Sequence, residues 1–182
     1  MGGRTRTGGQ GFDFITDSAN CVLRANPPGE APRDPAQRDR PMTFITRSAT
    51  LADIRQMAEV AGSPVTAQGL ADWMDGDSAY AAWHLIEDDS GRLLGFQHIG
   101  RTETLAADAC EIATFLDPNP LPVGAAASLF DATAHSARLL RYAWISADVA
   151  AENAAARIYY QNRGFRLYSS VKARVLMRFD LD

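Results

Sequence analysis

A change of hydrophobic period that repeats from Met42 to the C-terminus constrains this chain more than any other feature. Short apolar runs of strand character alternate with segments whose apolar residues recur every three or four positions. Residues 43–47 predict a first strand. Thr50, with Asp53 three residues on, has the form of a capping box. Leu51, Ile54, Met57 and Ala61 follow at helical spacing until Gly62-Ser63-Pro64 stops them. Residues 66–74 predict a second, shorter helix that buries Leu70, Trp73 and Met74. Residues 80–87 and Leu93–Gly100 flank the turn Asp88-Asp89-Ser90-Gly91 as two strands of a hairpin. A fourth strand, Ala109–Leu116, ends at Asp117-Pro118-Asn119-Pro120. A helix over 125–137, a fifth strand over 142–147, a helix over 153–162 closed by Gly164, and a hairpin of 165–171 with 174–181 complete the chain. The order β-α-α-β-β-β-α-β-α-β-β predicts an α/β (α+β) layer fold. It has one mixed, largely antiparallel sheet flanked by helices on both faces.

The first 41 residues have a different character. They carry six Arg and five acids, and Asn26 to Pro41 holds five prolines and almost no apolar residue, too little to offset its ordering entropy. We expect 1–41 to be an extension, flexible or an artefact of the start site, and 42–182 to be one domain. Phe12, Phe14 and Ile15 are the residues of the extension able to dock on that domain or on a second subunit. No apolar h-region follows the basic start, so no secretory signal is expected and a cytoplasmic setting is the default. Residues 42–182 carry 12 basic and 17 acidic groups, which lacks the positive field of a nucleic-acid binder. No apolar run is long enough to span a membrane. Cys21 and Cys110 form neither a disulfide framework nor a metal pattern, and no metal site is expected.

Three local patterns carry chemistry. The first is the helix Asn153-Ala-Ala-Ala-Arg-Ile-Tyr-Tyr160-Gln-Asn-Arg-Gly164-Phe165. At about 100° per residue, Asn153, Ala156 and Tyr160 fall within about 60° of one another, and Tyr159 points about 100° from Tyr160. Asn153 and Tyr160 can therefore face one ligand; equally, Asn153 reads as a plain N-cap and Tyr160 as a core residue. The second is Cys110-Glu-Ile-Ala-Thr-Phe-Leu-Asp-Pro118, where alternation puts Glu111, Ala113 and Phe115 on one face and Cys110, Ile112, Thr114 and Leu116 on the other. A carboxylate in so apolar a strand is either a general base, its pKa raised by partial burial, or a strand-end residue paired with an Arg. The third is Leu121-Pro-Val-Gly124-Ala-Ala126 opening a helix, where small residues and unpaired N–H groups suit a phosphate.

Together these patterns, over about 140 residues from Met42, resemble the GCN5-related N-acetyltransferase (GNAT) family. Its N-x-x-A-x-x-x-Y-x-x-x-G-F helix, its acid-bearing strand ending in Pro and its [R/Q]-x-x-G-x-[G/A] pyrophosphate loop are matched in turn. The resemblance implies a sheet splayed between the fourth and fifth strands and acetyl-CoA as co-substrate. Asn153 and the loop Val123, Gly124, Ala125 and Ala126 would hold the coenzyme. Backbone N–H groups around Phe115 and Leu116, left unpaired by the splay, would polarise the thioester carbonyl. Glu111 would take the amine proton through water, and Tyr160 would return one to the thiolate. Leu121 departs from the pattern, standing where the family has Arg or Gln, so backbone amides or an Arg from elsewhere must meet the pyrophosphate. The strand and helix look most similar to the phosphinothricin acetyltransferase branch, which implies a small amino-acid-like amine acceptor and a homodimer. Arg47, Arg101 and Arg174 are candidates to meet an acceptor anion. A non-catalytic acyl-CoA-binding or regulatory module is the alternative kept open by Leu121.

The remaining candidates read as structural. Cys110 lies on the face opposite Glu111 as a buried thiol. His84 and His98, on the two hairpin strands, are placed to meet across the hairpin, where one is an alternative base or substrate contact, although satisfied core or surface histidines are the commoner case. His135 lies on the polar side of its helix. Trp73 lies where the family builds its acceptor pocket, or packs in the core.

Overall fold

This computed structural model describes residues 21–22, 43–76 and 79–182. Phe12, Phe14 and Ile15 lie outside the described residues. The elements run β1 (Cys21–Val22), β2 (Phe44–Ser48), a 3-10 turn at Leu51–Asp53, α1 (Ile54–Ala61), α2 (Ala67–Gly76), β3 (Ala82–Asp88), β4 (Leu93–Gly100), β5 (Ala109–Leu116), α3 (Ala125–Leu139), β6 (Trp144–Ala150), α4 (Ala154–Asn162), β7 (Arg166–Val171) and β8 (Arg174–Asp180). Every strand and helix expected after Met42 is present, with ends moved by a few residues. The second strand starts at Ala82 rather than at residue 80, and the fifth at Trp144 rather than at residue 142.

The strands make one sheet in the order β2-β3-β4-β5-β6-β8-β7. Neighbours are antiparallel except β5 and β6, which run parallel and pair only at Ala109↔Trp144, Cys110↔Ile145 and Glu111↔Ser146. Beyond Glu111 they part, as expected. The short strand β1 joins off the main path, parallel to β5, with Cys21 opposite Thr114 and Val22 opposite Phe115.

The two faces have separate cores because each strand alternates its side chains. Trp83, Leu85, Phe96, Ala113 and Phe115 pack with Ile54, Met57 and Leu70 of α1 and α2. Ile86, Leu94, Ile112 and Ile145 pack on the other face with Leu129 and Phe130 of α3 and Tyr159 and Tyr160 of α4. Fully burying a side chain such as Leu129 stabilises by roughly 1.5–3 kcal/mol. At the start of α1, Arg47 donates to both Asp53, at 2.8 Å, and Glu87, at 2.9 Å. Asp53 also accepts the Thr50 backbone N–H at 2.8 Å, so strand, turn and helix are joined at one carboxylate. Gly95 sits opposite Leu116, where β4 and β5 leave no room: a Cβ there would lie 2.8 Å from the Phe115 carbonyl oxygen.

Candidate active site

Glu111 occupies the last position at which β5 pairs with β6. It is half-buried and shares the α1/α2 face with Ala113 and Phe115. Its neighbour across β4 is Gly100 and across β6 is Ser146. Ser146 Oγ lies 3.0 Å from the Tyr168 hydroxyl, so hydroxyls flank Glu111 on one side. On the other side is a cluster of rings. Trp73 meets Trp83 with centroids 4.6 Å apart, and His98 stands 4.4 Å from each. The His98 ring leans along its strand over Gly100: a Cβ on that glycine would lie 2.8 Å from His98 Cε1. The glycine opposite Glu111 thus makes room for the imidazole edge beside the carboxylate.

His98 faces Trp83 across the hairpin, while His84 faces Gln97. The two histidines therefore project from opposite faces and do not meet, because their register differs by one residue. His84 is buried against α3, with Nε2 3.1 Å from Ser136 Oγ, and burial lowers its pKa. His135 is exposed.

Tyr160 is fully buried, and its hydroxyl donates to Thr114 Oγ1 at 2.9 Å. Thr114 is three residues beyond Glu111 and on the opposite face, so Glu111 and the Tyr160 hydroxyl stand on the two faces of the sheet where β5 has parted from β6. Gln97 Nε2 donates to Thr114 Oγ1 and to the Tyr159 hydroxyl, each at 2.9 Å. Tyr159 and Tyr160 therefore reach one buried polar cluster although their Cα–Cβ bonds diverge by about 100°. The length of a phenol closes that divergence, and their rings meet edge to face at 5.1 Å. Thr114, Gln97 and Tyr159 were not identified as site residues in the sequence. The available signal was a polar pair, Gln97 and Thr114, inside two otherwise apolar strands.

Asn153 caps α4, its Oδ1 accepting the Ala156 N–H at 3.0 Å. At α3, Gly124 is the N-cap in a left-handed conformation, φ 85°, and no side chain caps the helix. Ala125 is buried, Ala126 is half-buried and Val123 is fully exposed. The Ala125 N–H donates to the Pro122 carbonyl at 3.1 Å, so Ala125 frames the first turn of α3 as a small residue and not as a donor. Of the three candidate arginines, Arg47 is held by Asp53 and Glu87, and Arg174 by Asp148 at 2.8 Å. Arg101 donates to the Ala107 carbonyl at 3.0 Å and lies over the Tyr80 ring, with no acidic partner among the described residues. Cys110 is buried and desolvation pushes its thiol up to about 12, so it is inert.

The expectation of unpaired backbone groups near Phe115 is corrected. Thr114 and Phe115 pair with β1, a strand contributed by the segment read as an extension. Phe115 and Leu116 are both buried by side chain, Phe115 stacked on Phe96 at 4.6 Å and Leu116 in the α3/α4 core.

A sheet in this order, with one parallel pair that separates after three residues and two helices on each face, is the GNAT acetyltransferase fold. The structure is similar to an N-acetyltransferase from Staphylococcus aureus Mu50, with a TM-score of 0.64 at 19% identity, covering 77% of this chain and 99% of that one. It is similar to a ribosomal-protein-alanine N-acetyltransferase from Brucella melitensis, with a TM-score of 0.64 at 17% identity, covering 75% and 99%. It is also similar to a GNAT superfamily phosphinothricin acetyltransferase from Sinorhizobium meliloti in complex with acetyl-CoA, with a TM-score of 0.64 at 17% identity, covering 78% and 89%. The sequence matches no family model and no curated protein.

Proposed function

We propose that this protein is an acetyl-CoA-dependent N-acetyltransferase that transfers the acetyl group directly to a primary amine of a small, amino-acid-like molecule. One observation carries the reading: β5 leaves β6 at Glu111, and the Tyr160 hydroxyl is anchored three residues further along β5. A base and an acid then border one opening in a fold shared with acetyltransferases.

The residues present suit the donor substrate. The start of α3, which no side chain caps, offers a pyrophosphate the backbone N–H groups around Gly124 and Ala126, while Ala125, whose own N–H is taken by the Pro122 carbonyl, lines the loop as a small residue; Leu121 leaves these groups to act without a local cation. The β5 edge at Phe115 and Leu116 is the donor for a thioester carbonyl once it is open. Glu111, through water, takes the proton of the incoming ammonium, freeing the lone pair for attack. A C–N bond forms as the C–S bond breaks, Tyr160 gives its proton to the sulfur, and the surplus proton on the new amide nitrogen passes through water to restore the phenol. Asn153, at the head of the helix that carries Tyr160, contacts the coenzyme arm.

Solved structures of equal similarity include an enzyme named for a protein substrate and one named for a small one, so the acceptor rests on this chain's own residues. Trp73 and Trp83 cluster with His98, whose ring lies over Gly100 opposite Glu111, and aromatic rings beside a carboxylate favour a compact cationic amine over an extended peptide. The reading carries with it the cytoplasmic setting and the homodimer expected from the branch; light scattering after size exclusion tests the dimer.

The test is thiol release from acetyl-CoA over a panel of amino acids, polyamines, aminoglycosides and peptides. Turnover with a small amine is expected, and Glu111→Gln is expected to lose roughly 10²-fold or more at neutral pH and to recover as rising pH deprotonates the amine. Full activity of Glu111→Gln at all pH values would remove the base assignment. A non-catalytic acyl-CoA-binding module is favoured by Leu121 alone; it predicts binding without thiol release for every amine.

A further inference from the structure

An interior strand has two edges. On β5, β4 holds one edge from Glu111 to Leu116. The other belongs to β6 from Ala109 to Glu111 and is then released. Because β4 already holds the first edge at Thr114 and Phe115, the pairing of Cys21 and Val22 with these residues places β1 on the released edge, inside the opening between β5 and β6. The paired stretch includes Phe115, one of the two residues whose backbone the proposed reaction uses to receive the thioester. A strand edge can pair with one partner at a time. In this state Tyr160, anchored on Thr114, is fully buried.

We propose that the released edge of β5 is a docking surface for a strand of this chain, and that Cys21–Val22 is its occupant, which acetyl-CoA must displace before the active site forms. The inference rests on the acetyl-donor reading above. Twenty residues separate Val22 from Thr43. A displaced segment therefore stays tethered beside the slot and competes as an intramolecular ligand. The apparent affinity for acetyl-CoA is lowered by the fraction of molecules with the slot closed. The N-terminal segment, set apart by composition from the domain that follows, thereby acts as a built-in competitor for the donor substrate.

The full chain and its Val22→Pro variant test this by calorimetric titration with acetyl-CoA and by amide exchange in the wild type. Proline removes a backbone donor and disfavours a strand inside a ladder. If about nine in ten molecules are closed, the variant binds roughly tenfold more tightly. In the wild type, saturating acetyl-CoA should raise exchange at residues 21–22 while Thr114 and Phe115 stay protected. Equal affinities, with residues 21–22 still protected at saturation, would overturn this inference and leave the acetyl-donor reading standing. Absence of binding by both proteins would overturn that reading, and this inference with it.

Discussion

Replacing Thr114 with Val keeps the shape of a fully buried side chain and deletes the oxygen on which two hydrogen bonds converge, from Gln97 Nε2 and from the Tyr160 hydroxyl. A buried hydrogen bond contributes about 0.5–1.5 kcal/mol net, and a donor left in a dry site costs about 1–3 kcal/mol. Gln97 keeps its second bond, to Tyr159, so its loss falls at the low end of that range. The expected total is about 2–4 kcal/mol. For a chain of this size each kcal/mol lowers Tm by roughly 2–4 °C, so a drop of roughly 4–16 °C is expected. Tyr160→Phe removes only the donor and should cost about 1 kcal/mol. In the double variant the second change deletes a bond already lost, so the two costs should sum to more than the measured total by about 1 kcal/mol. Urea unfolding of the four proteins measures this coupling. Additivity within about 0.3–0.5 kcal/mol would refute the pairing of Tyr160 with Thr114. The same proteins separate structure from chemistry. Thr114→Val retains the phenol and should keep measurable thiol release at a temperature where it is folded, whereas Tyr160→Phe should lose most of it.

Asp53 is held by Arg47, and by Thr50, at a pKa of about 2 against an ordinary 3.8. A depressed carboxylate stabilises above the ordinary value and loses that contribution as pH falls toward the folded value. Arg47→Gln should therefore cost about 1 kcal/mol near pH 6, discounted because Arg47 is 38% exposed, and the gap should shrink between pH 4 and pH 2 in urea titrations. A gap that stays constant with pH would mean the cost is not this ion pair. Gly95→Ala puts a Cβ 2.8 Å from the Phe115 carbonyl oxygen, which a strand between two neighbours accommodates only by shifting; a loss of about 2–3 kcal/mol by thermal unfolding is expected. With its thiol pushed up to about 12, Cys110 should resist a thiol reagent at pH 8 in the folded Cys21→Ser protein and react within seconds in denaturant; rapid labelling of the folded form would contradict its burial.

The architecture was legible after Met42 because each element there carries its own punctuation. Thr50 and Asp53 mark the entry to α1, Gly91 turns the β3–β4 hairpin at φ 79°, and Gly164 ends α4 at φ 93°. The period-two pattern of β5 correctly assigned Glu111, Ala113 and Phe115 to one face and Cys110, Ile112 and Thr114 to the other. Register was the harder quantity. One residue of slip decides whether two hairpin residues share a face, and nothing local to His84 or His98 encodes it, since the β3–β4 pairing shifts at Ile86/Glu87.

Long-range pairing between elements far apart in sequence was less legible still. Thr114, Gln97 and Tyr159 lie up to 62 residues apart and meet only after three elements have packed, so no helical wheel drawn for α4 could place both tyrosines on one cluster. The pairing of Cys21 with Thr114 is the extreme case. Two residues carry no period, and the flanking chain has the composition of a segment that cannot build a core. What they meet supplies the missing partner: a parallel strand that separates from its neighbour leaves backbone donors and acceptors without a ladder, and buried backbone groups demand partners. Among the described residues of this chain, Cys21 and Val22 are the ones that meet that demand on β5, at Thr114 and Phe115.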